Sequence, residues 1–280
     1  MSFANFKYKY SIVFIKNFHM KSKETIEYII NWIKNYVNDN KLNGLVIGVS
    51  GGVDSALTST LCAMTGIKTI CLNMPIHQDE KQITMSKSHI KWLKNKFNNV
   101  ESSEIDLTNF FEEFKKKVDK NYPFSELALA NSRSRMRMIT LYYYAAINNS
   151  IVVGTGNKVE DFGIGFYTKY GDGGVDISPI ADLMKSEVFE LSRCLNISEE
   201  IINAKPTDGL WDDGRTDEDQ IGIDYDDIEN IMYKLEKGEN PKSFDEQVKK
   251  HYSIYKNHNQ KNKHKMIEIP ICKIPDKLKL

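Results

Sequence analysis

Apolar residues recur at helical spacing over residues 23–38, where Ile26, Ile29, Ile30, Ile33 and Val37 fall on one face. Leu45-Val46-Ile47-Gly48-Val49 is then a short, continuous run of the kind expected of a strand covered on both sides. Residues 53–64 return to a helical pattern, and Thr69-Ile70-Cys71-Leu72 predicts a second buried strand. A helix over about 80–97 and a weaker strand over Val100–Asp106 come next. Two helical stretches, about 109–120 and 124–147, precede another buried strand, Ile151-Val152-Val153, ended by Gly154. Strand–helix alternation of this kind predicts an α/β fold, a doubly wound parallel sheet with helices on both faces. Ligands of such sheets sit beyond the carboxyl ends of the strands, which directs attention to the residues just after Val49 and Val153.

Beyond residue 160 the pattern is less regular. Residues 163–176 form a Gly-rich loop, and 185–203 read as a helix. Asp208–Glu229 is acidic, with Arg215 its only basic residue, and reads as a mobile lid or a solvated connection. A last helix is expected over 243–256, and the tail from Lys249 is basic.

Composition narrows the class. The 280 residues carry 38 Lys+Arg against 38 Asp+Glu, and the zero net charge argues against nucleic-acid binding through a general basic field. Hydrophobic residues at 41%, with only 16 Gly and 7 Pro, exclude a disordered or collagen-like chain. No apolar run approaches the roughly 18 residues needed to span a membrane. The four cysteines, Cys62, Cys71, Cys194 and Cys272, show neither CxxC nor zinc-ligand spacing, which suits reduced thiols in a cytoplasmic protein. Residues 1–19 lack the apolar core and cleavage site of a signal peptide and are expected to be a poorly ordered extension. Residues 20–280 are expected to form a single domain.

The clearest chemical signal is Ser50-Gly51-Gly52-Val53-Asp54-Ser55, between a buried strand and a helix. Two glycines allow a tight turn that brings successive N–H groups to an anion, the helix start adds unsatisfied amides, and Ser50 and Ser55 add hydroxyls. No Gly-Lys-Ser/Thr closes it, so it is not the Walker loop, and GxGxxG spacing is absent. A plain strand-to-helix turn with a Ser or Asp cap would not require both glycines and both serines.

This hexapeptide resembles the pyrophosphate loop of ATP pyrophosphatases, which cleave ATP to AMP and pyrophosphate. Lys169-Tyr170-Gly171-Asp172-Gly173-Gly174-Val175-Asp176 narrows the resemblance. Together with Gly154-Thr155-Gly156-Asn157-Lys158-Val159-Glu160 and Lys205-Pro206-Thr207, it is similar to the NAD synthetases, from about Ile26 to His264. That family implies an adenine-nucleotide α-hydrolase-like fold and a homodimer. Its activity is amidation of deamido-NAD (nicotinic acid adenine dinucleotide) with ammonia, through an adenylated intermediate. Other adenylating enzymes fit the first loop, but tRNA-thiolating ones usually need cysteine pairs, absent here. A noncatalytic nucleotide-binding protein would have no reason to carry both Asp54 and Glu160.

The resemblance also implies roles for individual residues. Gly48, Val49, Ser50, Gly51, Gly52, Val53, Asp54 and Ser55 match the ATP-binding stretch, with Thr155, Lys185 and Thr207 as further ATP contacts. Asp54 and Glu160 match Mg²⁺ ligands, as expected of a cation held by few carboxylates plus phosphate oxygens. For deamido-NAD the matches are Arg133, Lys169, Asp176 and the pair His264-Lys265, with Arg135 as an alternative to Arg133. Asp176 is also a candidate base for deprotonating ammonium, on proximity alone. The family's common Asp-His-Ala-Ala-Glu is replaced here by Gly156–Glu160, keeping the Thr and Glu positions. The strand bearing the pyrophosphate loop starts at residue 45, which leaves no room for the amidohydrolase domain of glutamine-dependent relatives. Ammonia, free or delivered by a separate protein, is therefore the expected donor.

Overall fold

The computed structural model describes residues 20–118, 121–207, 209–211 and 215–279; the expected N-terminal extension, 1–19, lies outside them. In chain order come α1 (Ser22–Asp39), β1 (Gly44–Gly48), α2 (Val53–Met64), β2 (Lys68–Asn73), α3 (Glu80–Lys96) and β3 (Val100–Glu104). Next are α4 (Thr108–Lys117), α5 (Glu126–Ile147), β4 (Ser150–Val152) and a π-helical turn (Val159–Ile164). The remaining helices are α6 (Lys185–Cys194), α7 (Glu199–Ile202), α8 (Asp217–Ile221), α9 (Tyr225–Glu236) and α10 (Glu246–Met266).

The strands form a parallel sheet in the order β3-β2-β1-β4, and an isolated bridge pairs Val153 with Ile177. Alternation along each strand serves two cores. Leu45, Ile47, Cys71, Val100 and Ile151 face α1, α2, α3 and α6, whereas Val46, Ile70, Leu72 and Val152 face α4 and α5. Burial on both faces is why β1 and β2 read as apolar runs rather than as alternating strands. The doubly wound expectation holds, and the carboxyl ends of β1 and β4 open on the Ser50–Ser55 loop and the Gly154–Glu160 segment.

Three expectations for the second half are corrected. The helix expected over 185–203 is two: Asn196 takes φ +58°, and Ser198 Oγ caps α7 by accepting from Glu200 N. Much of the acidic stretch, of which Asp208 and residues 212–214 lie outside the described residues, is neither lid nor solvated connection. Its α8 and α9 bury Ile221, Ile223, Tyr225, Ile228, Ile231 and Met232 in a third core with Val159, Ile164 and Tyr255. Most of the acidic residues there take the solvent side or the helix starts, where they meet the positive dipole end, whereas Glu229 is buried against α6. The last helix runs to Met266, so much of the basic tail is helical and packs through Val248, Tyr252 and Tyr255. No helix among the described residues is long and apolar enough to cross a membrane.

The seam between α2 and α3 holds a buried histidine. His89 Nε2 lies 3.0 Å from Ser59 Oγ, and its ring stacks on Trp92 with centroids 5.5 Å apart. Burial lowers its pKa from 6.5 to about 4, so the ring is neutral at pH 7. A depressed folded-state value means that this stability is complete above the unfolded value and is lost as pH falls toward the folded one. Denaturant melts should therefore show His89 removing about 2–3 kcal/mol between pH 7 and pH 4.5. His89→Gln should flatten that part of the pH dependence.

Candidate active site

The loop after β1 is held in one shape by its own side chains. Ser55 Oγ accepts from Ser50 N at 3.1 Å and donates to Gly52 O at 3.0 Å, while Ser50 Oγ accepts from Gly52 N at 3.2 Å. Ser86 Oγ donates to Val49 O at 2.7 Å and ties the loop to α3. Gly51 adopts φ +93°, and a Cβ there would lie 2.7 Å from Gln82 O, so the sharp approach of loop to α3 requires glycine. The start of α2 comes immediately after, with its unsatisfied amides facing the same space.

Three charged side chains from three elements meet beside this loop. Asp54 stands in the first turn of α2, Glu160 in the π-helical turn, and Lys185 at the first position of α6. Lys185 Nζ lies 2.6 Å from Asp54 Oδ2 and 2.9 Å from Glu160 Oε1, and Lys185 is only 2% exposed. Neutral donors complete the group. Asn157 Nδ2 donates to Asp54 Oδ1 at 2.9 Å, and the Tyr225 hydroxyl donates to Glu160 Oε1 at 2.7 Å. The Tyr225 ring also lies 4.9 Å from the Lys185 ammonium, within cation–π range.

These contacts set the charge states. Burial pushes Asp54 up, and the Glu160 charge adds to it against the pull of Lys185. Burial also pushes Glu160 up, but Lys185 and then Tyr225 outweigh it and hold Glu160 below its ordinary value. Burial would lower Lys185, yet the two carboxylates keep it firmly protonated. Asp161 is pushed up to about 8 by burial and then by Glu160, Asp172 and Asp54. Its carboxylate occupies the space that a Cβ at Gly156 would need, which ties Gly156 to its own residue type.

Backbone caps fix where Lys185 starts. Glu229 of α9 accepts from Ser186 N at 2.8 Å and from Ser186 Oγ at 2.6 Å, and Glu187 accepts from Met184 N at 2.7 Å. The first turn of α6 is thereby anchored to the third core.

One cleft gathers all the residues matched to ATP and metal: Gly48 through Ser55, Thr155, Glu160, Lys185 and Thr207. The residues matched to the dinucleotide lie outside it. Lys169 Nζ donates to His264 O at 2.9 Å, and Lys265 Nζ donates to Gly165 O at 2.6 Å and Tyr167 O at 2.7 Å. The His264-Lys265 pair is thus docked on the Gly-rich loop. Arg135 reaches Lys169 O at 3.3 Å and joins this exposed group. Arg133 does not; it is buried over the Phe111 ring at 4.7 Å and donates to Leu210 O at 2.5 Å. Asp176 also stands apart from the cleft. Its Oδ2 accepts from Val152 N at 2.7 Å and its Oδ1 from the Tyr142 hydroxyl at 3.0 Å, so one oxygen braces β4 and the other α5.

Sequence reasoning missed Tyr225, Asn157, Asp161 and Arg137. Arg137 lines the cleft and donates to Met74 O at 3.0 Å and Gln78 Oε1 at 2.8 Å. Tyr225 had a signal, since Ile221, Tyr225 and Ile228 inside the acidic stretch, and Met232 just beyond it, recur at helical spacing. Asn157 had none beyond its place in the Gly154–Glu160 segment, and Asp161 none beyond following it.

The donor set suits Mg²⁺. Among the described residues no group of three or more His, Cys, Asp or Glu side chains could hold a metal ion. Two hard carboxylates beside a phosphate cradle are nevertheless the arrangement in which that ion takes its remaining ligands from phosphate and water.

A family model described as NAD synthase matches residues 25–268. The NH(3)-dependent NAD(+) synthetase of Carboxydothermus hydrogenoformans is 38% identical over 218 residues, which cover 75% of this chain and 85% of that one. Among solved structures, NMN synthetase from Francisella tularensis has a TM-score of 0.80 at 29% identity, covering 91% of this chain and 100% of that one. The NH3-dependent NAD synthetase from Campylobacter jejuni, in complex with the nitrate ion, has a TM-score of 0.74 at 28% identity, with the same coverage. The fold is of the adenine-nucleotide α-hydrolase-like kind.

Tyr225 tests how the charged group is supported. Tyr225→Phe keeps the ring but removes the hydroxyl that donates to Glu160, and should lower stability in urea by about 1.5–3 kcal/mol, as for a buried bond to a charged acceptor.

Proposed function

The chain belongs to the NAD synthase family, and we propose from that membership how its residues divide the work of the reaction. The reaction is that of a C–N ligase: deamido-NAD is amidated with ammonia to NAD, with ATP as co-substrate. The observation that carries the assignment of residues is the convergence of Asp54, Glu160 and Lys185 beside the Ser50–Ser55 amides.

A nicotinate carboxylate is a poor electrophile. Its oxygen attacks the α-phosphate of ATP, pyrophosphate leaves, and a mixed anhydride with AMP remains. Ammonia then attacks the activated carbonyl and AMP departs. Backbone N–H groups of Gly51–Asp54 and the hydroxyls of Ser50 and Ser55 receive the charge that builds on pyrophosphate. Gly48, Val49, Thr155 and Thr207 contact the nucleotide around them. Asp54 and Glu160 hold Mg²⁺, which supplies Lewis-acid neutralisation of the phosphates when bound. Lys185 adds a mobile positive charge to the same oxygens. Catalysis rests on positioning and charge, without a covalent enzyme nucleophile.

Lys169, Arg135, His264, Lys265 and Asp176 form the deamido-NAD side, and Arg133, buried over Phe111, is the further residue matched to that substrate. Asp176 belongs there as a binding and bracing group and as the candidate base for ammonium, since each of its oxygens accepts one hydrogen bond and keeps a lone pair. This side lies outside the nucleotide cleft, which fits a homodimer. Ile139, Tyr143 and Ile147 make an exposed apolar stripe along α5, 57–63% exposed and four residues apart, next to Tyr142 and Asp176. Residues 20–280 act as one domain, and four free cysteines suit a cytoplasmic site of action.

A second reading keeps the chemistry and shortens the substrate. The Francisella neighbour is an NMN synthetase, which favours testing the mononucleotide as the amidated species.

Purified protein with ATP, Mg²⁺, ammonium and deamido-NAD should form NAD and pyrophosphate in equal amounts, and glutamine should not replace ammonium. Faster turnover of nicotinic acid mononucleotide would select the second reading, and pyrophosphate without either amide would refute both. Asp54→Ala and Glu160→Ala should each lower kcat/KM by about 100-fold or more. Tyr143→Glu should convert the dimer to monomer in sedimentation.

A further inference from the structure

The Lys185 ammonium stands between the two carboxylates assigned to the metal. One nitrogen, 2.6 Å from Asp54 Oδ2 and 2.9 Å from Glu160 Oε1, bridges both. Two carboxylates held this close in a buried place repel each other unless a cation sits between them. Lys185 is that cation here, and its own burial at 2% exposure is favourable only because both partners are present.

The surroundings separate what is fixed from what can move. Ser186 and Met184 are capped by Glu229 and Glu187, which fixes the backbone of Lys185. Its four-carbon stem turns about freely rotating bonds and ends in a compact charge. Asn157 and Tyr225 are neutral donors to Asp54 Oδ1 and Glu160 Oε1, so neither depends on which cation lies between the carboxylates. The Ser50–Ser55 loop, lining the same cleft, is where phosphate charge would arrive.

We propose that Lys185 is a displaceable placeholder: it holds Asp54 and Glu160 together in the nucleotide-free protein, is exchanged for the divalent cation, and transfers its charge to the phosphates of ATP. The proposal rests on the reading of Asp54 and Glu160 as metal ligands and adds a binding order to it. A divalent cation entering alone must break both ion pairs of a buried ammonium and drive it into a cleft whose other carboxylates, Asp172 and Asp217, already accept from Ser134 and Tyr225. Entering with the nucleotide, it releases that ammonium onto phosphate oxygens. Metal and nucleotide therefore bind cooperatively, and free metal is excluded from the empty protein.

Mn²⁺ binding, read by electron paramagnetic resonance with and without a non-cleavable α,β-methylene ATP analogue, tests this on the whole chain. Wild type should bind Mn²⁺ weakly alone. Lys185→Met should bind Mn²⁺ alone at least tenfold more tightly, and its melting temperature, lowered without metal, should be restored by Mn²⁺. Lys185→Arg keeps a cation between the carboxylates and should bind Mn²⁺ alone no more tightly than wild type. Folded Lys185→Met with unchanged or weaker Mn²⁺ affinity would overturn the proposal. Tightening in Lys185→Arg would overturn it too, whether or not Lys185→Met folds. Asp54→Asn and Glu160→Gln separate the two ideas. If they leave analogue-dependent Mn²⁺ binding intact, the metal assignment itself fails; if they abolish it while Lys185→Met shows no tightening, only the placeholder fails.

Discussion

The buried bridge from Lys185 to Asp54 and Glu160 is the constraint on which the rest of the site depends. It draws the start of α2, the π-helical turn and the start of α6 to one point. None of the three charges is tolerable there alone, because each desolvated ion needs the others. Removing one partner of such a group leaves an uncompensated charge, so the arrangement is specified more tightly than an apolar contact of similar size would be. The geometry for handling phosphate is therefore present before any phosphate arrives.

Support for that point comes from an unexpected quarter. The third core, built from α8, α9, α10 and the π-helical turn, carries Tyr225 and Glu229 inward on α9. Tyr225 meets Glu160 and Lys185 directly, whereas Glu229 acts through the first turn of α6. An acidic, solvent-looking segment thus supplies the apolar packing that holds the charged centre in register. Its other acidic residues occupy caps and the outer face, where charge is solvated or meets a helix dipole.

The two halves of the substrate chemistry are spatially divided. Residues matched to ATP share one cleft at the carboxyl ends of β1 and β4, where a parallel sheet places its ligands. Of those matched to the dinucleotide, Lys169, His264 and Lys265 gather at the Gly-rich loop, where the end of α10 is clamped by Lys169 and Lys265. These two lysines bind backbone carbonyls, so they order the loop whose glycines bring Ser134, Thr168 and Asp172 into close contact.

By itself the sequence determined the sheet, its first five elements and the loop that lines the cleft. Apolar runs such as Leu45–Val49 and a Gly-rich turn such as Ser50–Ser55 are local patterns, and their geometry is set by neighbours in the chain. Asp54, Glu160 and Lys185 were marked by the family resemblance rather than by local pattern. Only the tertiary structure decided that these three charges touch, because they lie up to 131 residues apart and their pairing depends on how α6 packs. Helical spacing already sets Arg135 on another face from Arg133 and Arg137, but only the tertiary structure separated Arg133, buried over Phe111, from Arg137 in the cleft. It likewise turned Asp208–Glu229 from a stretch of charge into a packed support. Composition counts the acidic residues, whereas burial depends on which face of α9 meets Val159 and Ile164.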